Sequence, residues 1–128
     1  MKFLLDSDFL IALYKPDDSN HKKSKELFKK IQGDELAALN IVFQESTTVV
    51  SKKMGMTHAK KFYDSINRII EIKINMNEEL EQQSWRMFLK QTKKGTSFVD
   101  CANLATTKIY GIDKIASFDK FYPKEQLT

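Results

Sequence analysis

The chain is poor in the residues that punctuate or cross-link a protein. Its 128 residues hold one cysteine, two prolines and four glycines. A lone Cys101 excludes an internal disulfide and cannot build a zinc site by itself. So little Pro and Gly, beside 41% apolar and 30% charged residues, excludes a disordered or collagen-like chain. The apolar share is enough to close a core at this length. No apolar run nears the ~20 residues that cross a bilayer. The opening MKFLLDSDFLIALYK is interrupted by two aspartates and no small-residue cleavage site follows, so it makes a poor signal peptide. Repeats, low-complexity stretches and linkers are also missing. These absences predict one domain over residues 1–128, with no membrane segment, working in the cytoplasm.

What is present is charge, unevenly spread. The net charge is only +4. Between residues 21 and 32, however, Lys22, Lys23, Lys25, Lys29 and Lys30 face Glu26 alone. Between 52 and 68, Lys52, Lys53, Lys60, Lys61 and Arg68 face Asp64 alone. The remainder of the chain is acidic. Such segregation suits a phosphate-rich partner, and it equally suits two solvated helix faces.

The few breakers divide the chain into alternating short apolar runs and amphipathic stretches. Strands are expected at 2–5, 35–39, 69–74 and 114–118. Helices are expected at about 8–15, 19–32, 41–54, 58–67, 78–93 and 97–110, with Pro16, Gly33, Gly55 and Gly111 as stops. Strands alternating with helices predict a three-layer α/β/α fold around a parallel sheet of four strands, with a fifth left open. In such sheets ligands collect beyond the carboxyl ends of the strands. That rule makes the acids informative. Asp6 ends the first strand, Asp119 follows the last, Glu45 lies early in the helix after the second strand, and Asp100 lies in the first turn of the helix before the last strand. Asp100 reaches the same rim only if the loop at 94–96 crosses to it.

Four carboxylates gathered at one rim repel unless a cation neutralises them. Oxygen ligands without paired Cys or His suit Mg²⁺ or Mn²⁺, one or two ions, which activate water for in-line displacement at phosphorus. Each acid also has a purely structural use. Asp6 is placed to cap the next helix, Glu45 to complement a helix dipole, and Asp119 to hold a turn. Ser97-x-x-Asp100 reads as a capping box.

The segments LLDSDFLIALY, NIVFQES, SFVDCANLATTKIYGI and IASFDKFY resemble the PIN-domain ribonucleases, particularly the VapC-type toxins of toxin–antitoxin pairs. The resemblance runs in order over nearly the whole chain. It implies a metal-dependent ribonuclease in which Asp6, Glu45, Asp100 and Asp119 hold Mg²⁺ or Mn²⁺, with Ser117 helping to position the site. It further implies a homodimer and a small antitoxin that blocks the acidic groove. Asn103, one turn past Asp100, is a candidate supporting amide. Two features depart from the family pattern. Asp8 stands where relatives carry Ser, Thr or Asn; it either joins the metal shell or caps the helix, and the cap is the favoured reading. The chain also ends soon after Asp119, where many relatives continue into a fifth strand. Lys22, Lys23, Lys52 and Lys53 are candidates for guiding the RNA backbone.

Two other classes compete. Asp6-x-Asp8 after a strand fits a haloacid-dehalogenase-like phosphatase, with Asp6 as nucleophile and Asp8 as acid/base, but no suitably paired late acids accompany it. A PIN-like module that binds RNA or protein without cleaving is the other. His21 and His58, at expected helix starts, read as exposed or capping residues. Cys101 reads as a small buried residue, and Trp85 and Phe88 as core or dimer packing.

Overall fold

A computed structural model describes residues 1–128. Strand β1 (Lys2–Leu5) leads into helices α1 (Ser7–Tyr14) and α2 (His21–Ile31), and β2 (Glu35–Leu39) into α3 (Asn40–Met54) and α4 (Met56–Ile69). β3 (Ile72–Ile74) is followed by α5 (Glu78–Leu89), α6 (Phe98–Ile109) and β4 (Lys114–Ala116). All strands are parallel, in the order β3-β2-β1-β4. The three-layer α/β/α arrangement expected from the alternation is therefore present. Right-handed crossovers put α1 to α4 over one face. The reversal of direction between β3 and β4 puts α5 and α6 over the other. α1 packs on α2 and α3, α3 on α4, and α5 on α6, as that arrangement requires.

The strands are short apolar runs because helices cover both of their faces. Leu4, Leu5, Ala37 and Ile115 are fully buried, and a single cluster of 25 apolar residues joins sheet and helices. α1 buries Phe9 and Leu10 in that cluster, each side chain contributing roughly 1.5–3 kcal/mol relative to exposure. One cluster means one core. No helix is long and apolar enough to cross a membrane.

Three boundaries differ from the sequence expectation. β3 starts at Ile72 and not at 69, because α4 runs through Ile69. Ile66 and Ile70, four apart, bury on one helical face, and Ile70 N–H still bonds Ile66 C=O at 3.0 Å. α5 stops at Leu89, four residues early. Its closing bonds tighten to i→i−3 spacing, and Gly95 at φ +84 turns the loop towards α6. Lys93 and Lys94 are thereby released from the helix. β4 ends at Ala116, and the fifth strand is reduced to one parallel bridge between Ile115 and Leu127, beside a 3-10 turn at Lys124–Gln126.

β1 and β4 are neighbours at the point where strand order reverses, the place where open α/β sheets bind ligands. Asp6 N–H bonds Ala116 C=O at 3.1 Å, carrying the ladder one step past β1. α3 and α4 meet at Gly55, which holds φ +90 and ψ 171, a region that residues with a Cβ strongly avoid. Nothing lies within 4 Å of a Cβ built there, so only backbone strain opposes one. Gly55→Ala should lower stability by about 1–3 kcal/mol, read from the midpoint of urea unfolding. An unchanged midpoint would mean that the α3–α4 corner relaxes freely.

Candidate active site

Asp6 is the centre of the rim. Its backbone starts α1 as the N-cap, and its carboxylate is only 5% exposed. Oδ1 accepts from Ser7 N–H at 2.8 Å and Asn103 Nδ2 at 3.1 Å. Oδ2 accepts from Ser117 Oγ at 2.9 Å and Tyr122 OH at 3.1 Å. Four bonds fill the acceptor capacity of one carboxylate. The donors come from α1, α6, the end of β4 and the C-terminal tail, so one side chain ties four separate segments together. Burial nonetheless raises the Asp6 pKa, against the lowering effect of these bonds.

Further acids surround it. Asp8 does not cap α1, contrary to the sequence expectation. Asp6 occupies the cap, and the Asp8 side chain crosses to the β4 loop instead. There Oδ2 accepts from Phe118 N–H at 3.0 Å and Oδ1 meets Ser117 Oγ at 3.1 Å. Burial, then the Asp6 charge, pushes the Asp8 pKa up to about 6. Asp119 Oδ1 accepts from Phe121 N–H at 2.9 Å, and its own N–H bonds Ser117 Oγ at 3.0 Å. Glu45, in the second turn of α3, is raised first by desolvation and then by the Asp6 charge.

Ser97 caps α6, accepting from Val99 N–H at 3.1 Å and Asp100 N–H at 3.5 Å. The capping box is not closed, because the Asp100 carboxylate turns away from Ser97 and its Oδ1 lies 3.1 Å from Tyr122 OH. Burial first, then the charges of Asp6 and Asp119, push its pKa up to about 7. The loop of residues 90–96 does cross to the rim. Lys93, Lys94, Gly95 and Thr96 wall a small hollow of about 100 Å³ with Asp100, Asp119 and Phe121.

The structure thus brings Asp6, Glu45, Asp100, Asp119, Ser117 and Asn103 together. It does not bring in the lysines read from charge runs. Lys52 and Lys53 occupy the last turn of α3, which leaves the rim at Asn40 and is roughly 20 Å long to that point. Lys23 lines a separate hollow of about 440 Å³ with Met1, Phe3 and Asp34, and none of the four acids lines it. Lys22 is exposed on α2. Sequence reasoning missed Tyr122 and Lys93–Lys94 as parts of the rim. His21 Nδ1 instead lies 2.7 Å from Ala12 C=O, and His58 Nδ1 lies 2.9 Å from Tyr14 OH. Cys101 is buried, and its thiol pKa is raised by that burial.

The donor set fits a hard divalent cation. Every candidate ligand is an oxygen. The ion pairs of the chain are Met1 amine–Asp34 and Lys15–Asp17, so no basic side chain neutralises the rim. Two buried oxygens at the rim, Ser7 Oγ and Asn103 Oδ1, have no hydrogen-bond partner. No three acids converge tightly enough to cage an ion directly.

A parallel α/β sheet with a carboxylate cluster at its switch point defines the class: an acidic-site α/β domain. A family model for the PIN domain matches residues 3–124, and the chain belongs to the PIN domain family. No curated protein sequence matches it significantly. Three solved structures are similar in fold. Mycobacterium tuberculosis VapC20, a Sarcin-Ricin loop cleaving toxin, is 23% identical with a TM-score of 0.81, over 91% of this chain and 89% of that one. VapBC2 from Rickettsia felis, bound to a DNA fragment from their promoter, is 16% identical with a TM-score of 0.71, over 100% and 98%. A toxin–antitoxin complex from Klebsiella pneumoniae is 15% identical with a TM-score of 0.68, over 98% and 94%.

The raised carboxylates give a signed pH dependence. Between the ordinary Asp value of 3.8 and about 7, folded Asp100 holds a proton that the unfolded chain has released, so stability falls as pH rises through that window. Asp8 adds the same slope between 3.8 and about 6. Without divalent metal, the melting temperature should fall from about pH 4 to about pH 7, and Asp100→Asn should flatten that fall, most completely above about pH 6. Equal slopes in variant and wild type would show that Asp100 titrates normally.

Proposed function

We propose that the chain is a metal-dependent ribonuclease that hydrolyses RNA phosphodiester bonds, the toxin of a toxin–antitoxin pair. The observation that carries this reading is the convergence of Asp100, Asp119 and Glu45 on the buried Asp6 carboxylate, without a basic partner, at the switch point of a PIN-family sheet. Asp6, Glu45, Asp100 and Asp119 would hold one or two Mg²⁺ or Mn²⁺. When bound, the cation supplies positive charge that acidifies water and stabilises the pentavalent phosphorus and the leaving oxygen.

The chain's own residues perform the rest. Ser117 and Asn103 orient Asp6 through bonds of 2.9 and 3.1 Å. Phe118 and Phe121 N–H fix Asp8 and Asp119, so the acids are presented with little rotamer freedom. Lys93 and Lys94 stand on the far wall of the hollow that Asp100 and Asp119 line, and we assign them to drawing in the phosphodiester. Their positions support that assignment better than those of Lys22, Lys23, Lys52 and Lys53.

Family membership removes the phosphatase alternative. The partner reading, a small antitoxin, is supported by the toxin–antitoxin complexes of similar fold. The homodimer implied by the resemblance finds support in the aromatic cluster of Trp85, Phe88 and Phe98, where Trp85 is 45% exposed.

Wild-type protein should cleave a mixed RNA pool in Mn²⁺ or Mg²⁺ and stop on chelation. Asp6→Asn and Asp100→Asn should each lose at least about a hundredfold, the scale on which removing one group aimed at developing charge acts. Lys93→Ala with Lys94→Ala should weaken RNA binding and reduce its salt dependence. Cleavage that persists in excess chelator would overturn the metal-dependent reading.

A further inference from the structure

Tyr122 closes the IASFDKFY segment, where sequence reasoning gave it no role, and it lies buried among the acids. Its ring is anchored in the core cluster at 2% exposure. Its hydroxyl lies 3.1 Å from Asp6 Oδ2, 3.1 Å from Asp100 Oδ1 and 3.0 Å from Asn103 Nδ2. A phenol has one hydrogen, and the Asn103 amide is itself a donor, so the hydroxyl accepts there. It can donate to Asp6 or to Asp100, but not to both. With both carboxylates ionised, one of the two 3.1 Å contacts sets oxygen lone pairs against a negative charge. Two further buried oxygens at the rim, Ser7 Oγ and Asn103 Oδ1, are unpartnered. The junction is therefore held by polar groups that are close enough to bond but short of positive charge.

Resting on the nuclease reading, we propose that the Tyr122 hydroxyl is a built-in stand-in for the divalent cation. It bridges Asp6 and Asp100 when no ion is bound and competes with the ion for the same two carboxylates. Tyr122 is a positioning residue. It keeps the acids at the rim from springing apart in the metal-free protein, and metal binding must break its bond to one of them. The ring stays in the core, and only the hydroxyl edge yields. The price of that arrangement is weaker metal binding than the acids alone would give, so occupancy of the site tracks the free cation concentration.

Tyr122→Phe keeps the ring and removes the competitor. Calorimetric titration of the whole protein with Mn²⁺ should show binding about three- to tenfold tighter in the variant, the equivalent of one ordinary hydrogen bond. RNA cleavage by the variant should reach half its maximum at a correspondingly lower Mn²⁺ concentration. A second measurement uses wild type alone. Mg²⁺ should perturb the near-ultraviolet tyrosine absorbance, as a phenol exchanges its hydrogen-bond partner, and Tyr122→Phe should lose that difference signal. Unchanged or weaker Mn²⁺ binding in a folded variant overturns the proposal and leaves the nuclease reading standing. A wild type that binds no Mn²⁺ and cleaves no RNA overturns both. If Tyr122→Phe fails to fold, absence of any tyrosine signal on Mg²⁺ binding to wild type overturns the proposal.

Discussion

The interaction on which this structure turns is the solvation of one buried carboxylate. Asp6 is lifted out of water at the end of β1, and the protein must replace its hydration shell. It does so with donors from α1, α6, the end of β4 and the tail. Leaving one such acceptor unpaired costs about 1–3 kcal/mol, and more for a charge, which is a sizeable share of the stability of any domain this small. The strand order serves that need. Only with β4 beside β1 does Ser117 arrive within 2.9 Å of Asp6, and only with α6 starting at the same rim does Asn103 reach it from the other face.

Around that centre the chain accumulates like charge. The pKa values of Asp6, Asp8, Glu45 and Asp100 are all raised, with burial as the leading cause and neighbouring acids next. A domain selected for stability alone would place a Lys or Arg among them. The lysines nearest the site, Lys93 and Lys94, instead sit on the loop across the hollow and make no ion pair with Asp100 or Asp119. On the proposed nuclease reading, this separation would leave the acids free for a cation and the lysines free for a phosphate. It is the kind of local conflict that marks a working site.

The sequence made some of this legible and hid the rest for identifiable reasons. Short apolar runs and the few Gly and Pro residues located all four strands. The rule that ligands gather at strand ends then put Asp6 and Asp119 on one rim. Asp100 remained ambiguous because Ser97-x-x-Asp100 encodes a cap and a ligand with the same letters. Only the direction of the side chain, towards Tyr122 and away from Ser97, shows that it does not close the box. Asp8 was misread for a related reason, since one cap position cannot hold two aspartates and the backbone gave it to Asp6. Tyr122 lay in a tail too short to suggest an element, and its role depends on a loop path that periodicity does not encode. Lys93 and Lys94 were hidden by an apparent helix end, because nothing local in 78–93 marks Leu89 as the last helical residue.

The choice of groups around Asp6 explains how one site serves both folding and chemistry. A basic side chain there would satisfy the carboxylates permanently, and a cation would then have to displace a full charge. Backbone amides and an Asn hold Asp6 in place but change its net charge not at all. Hydroxyls lie between these extremes. Ser117 spans Asp6 and Asp8, and Tyr122 spans Asp6 and Asp100, each with one proton for two acids. The resulting chain, Asp8–Ser117–Asp6–Tyr122–Asp100, is bonded well enough to fold without an ion. It remains short of positive charge at two points along its length. On the proposed metal-dependent reading, a network satisfied in geometry but not in charge would already be rigid without the cation, and would lose little conformational entropy on binding one.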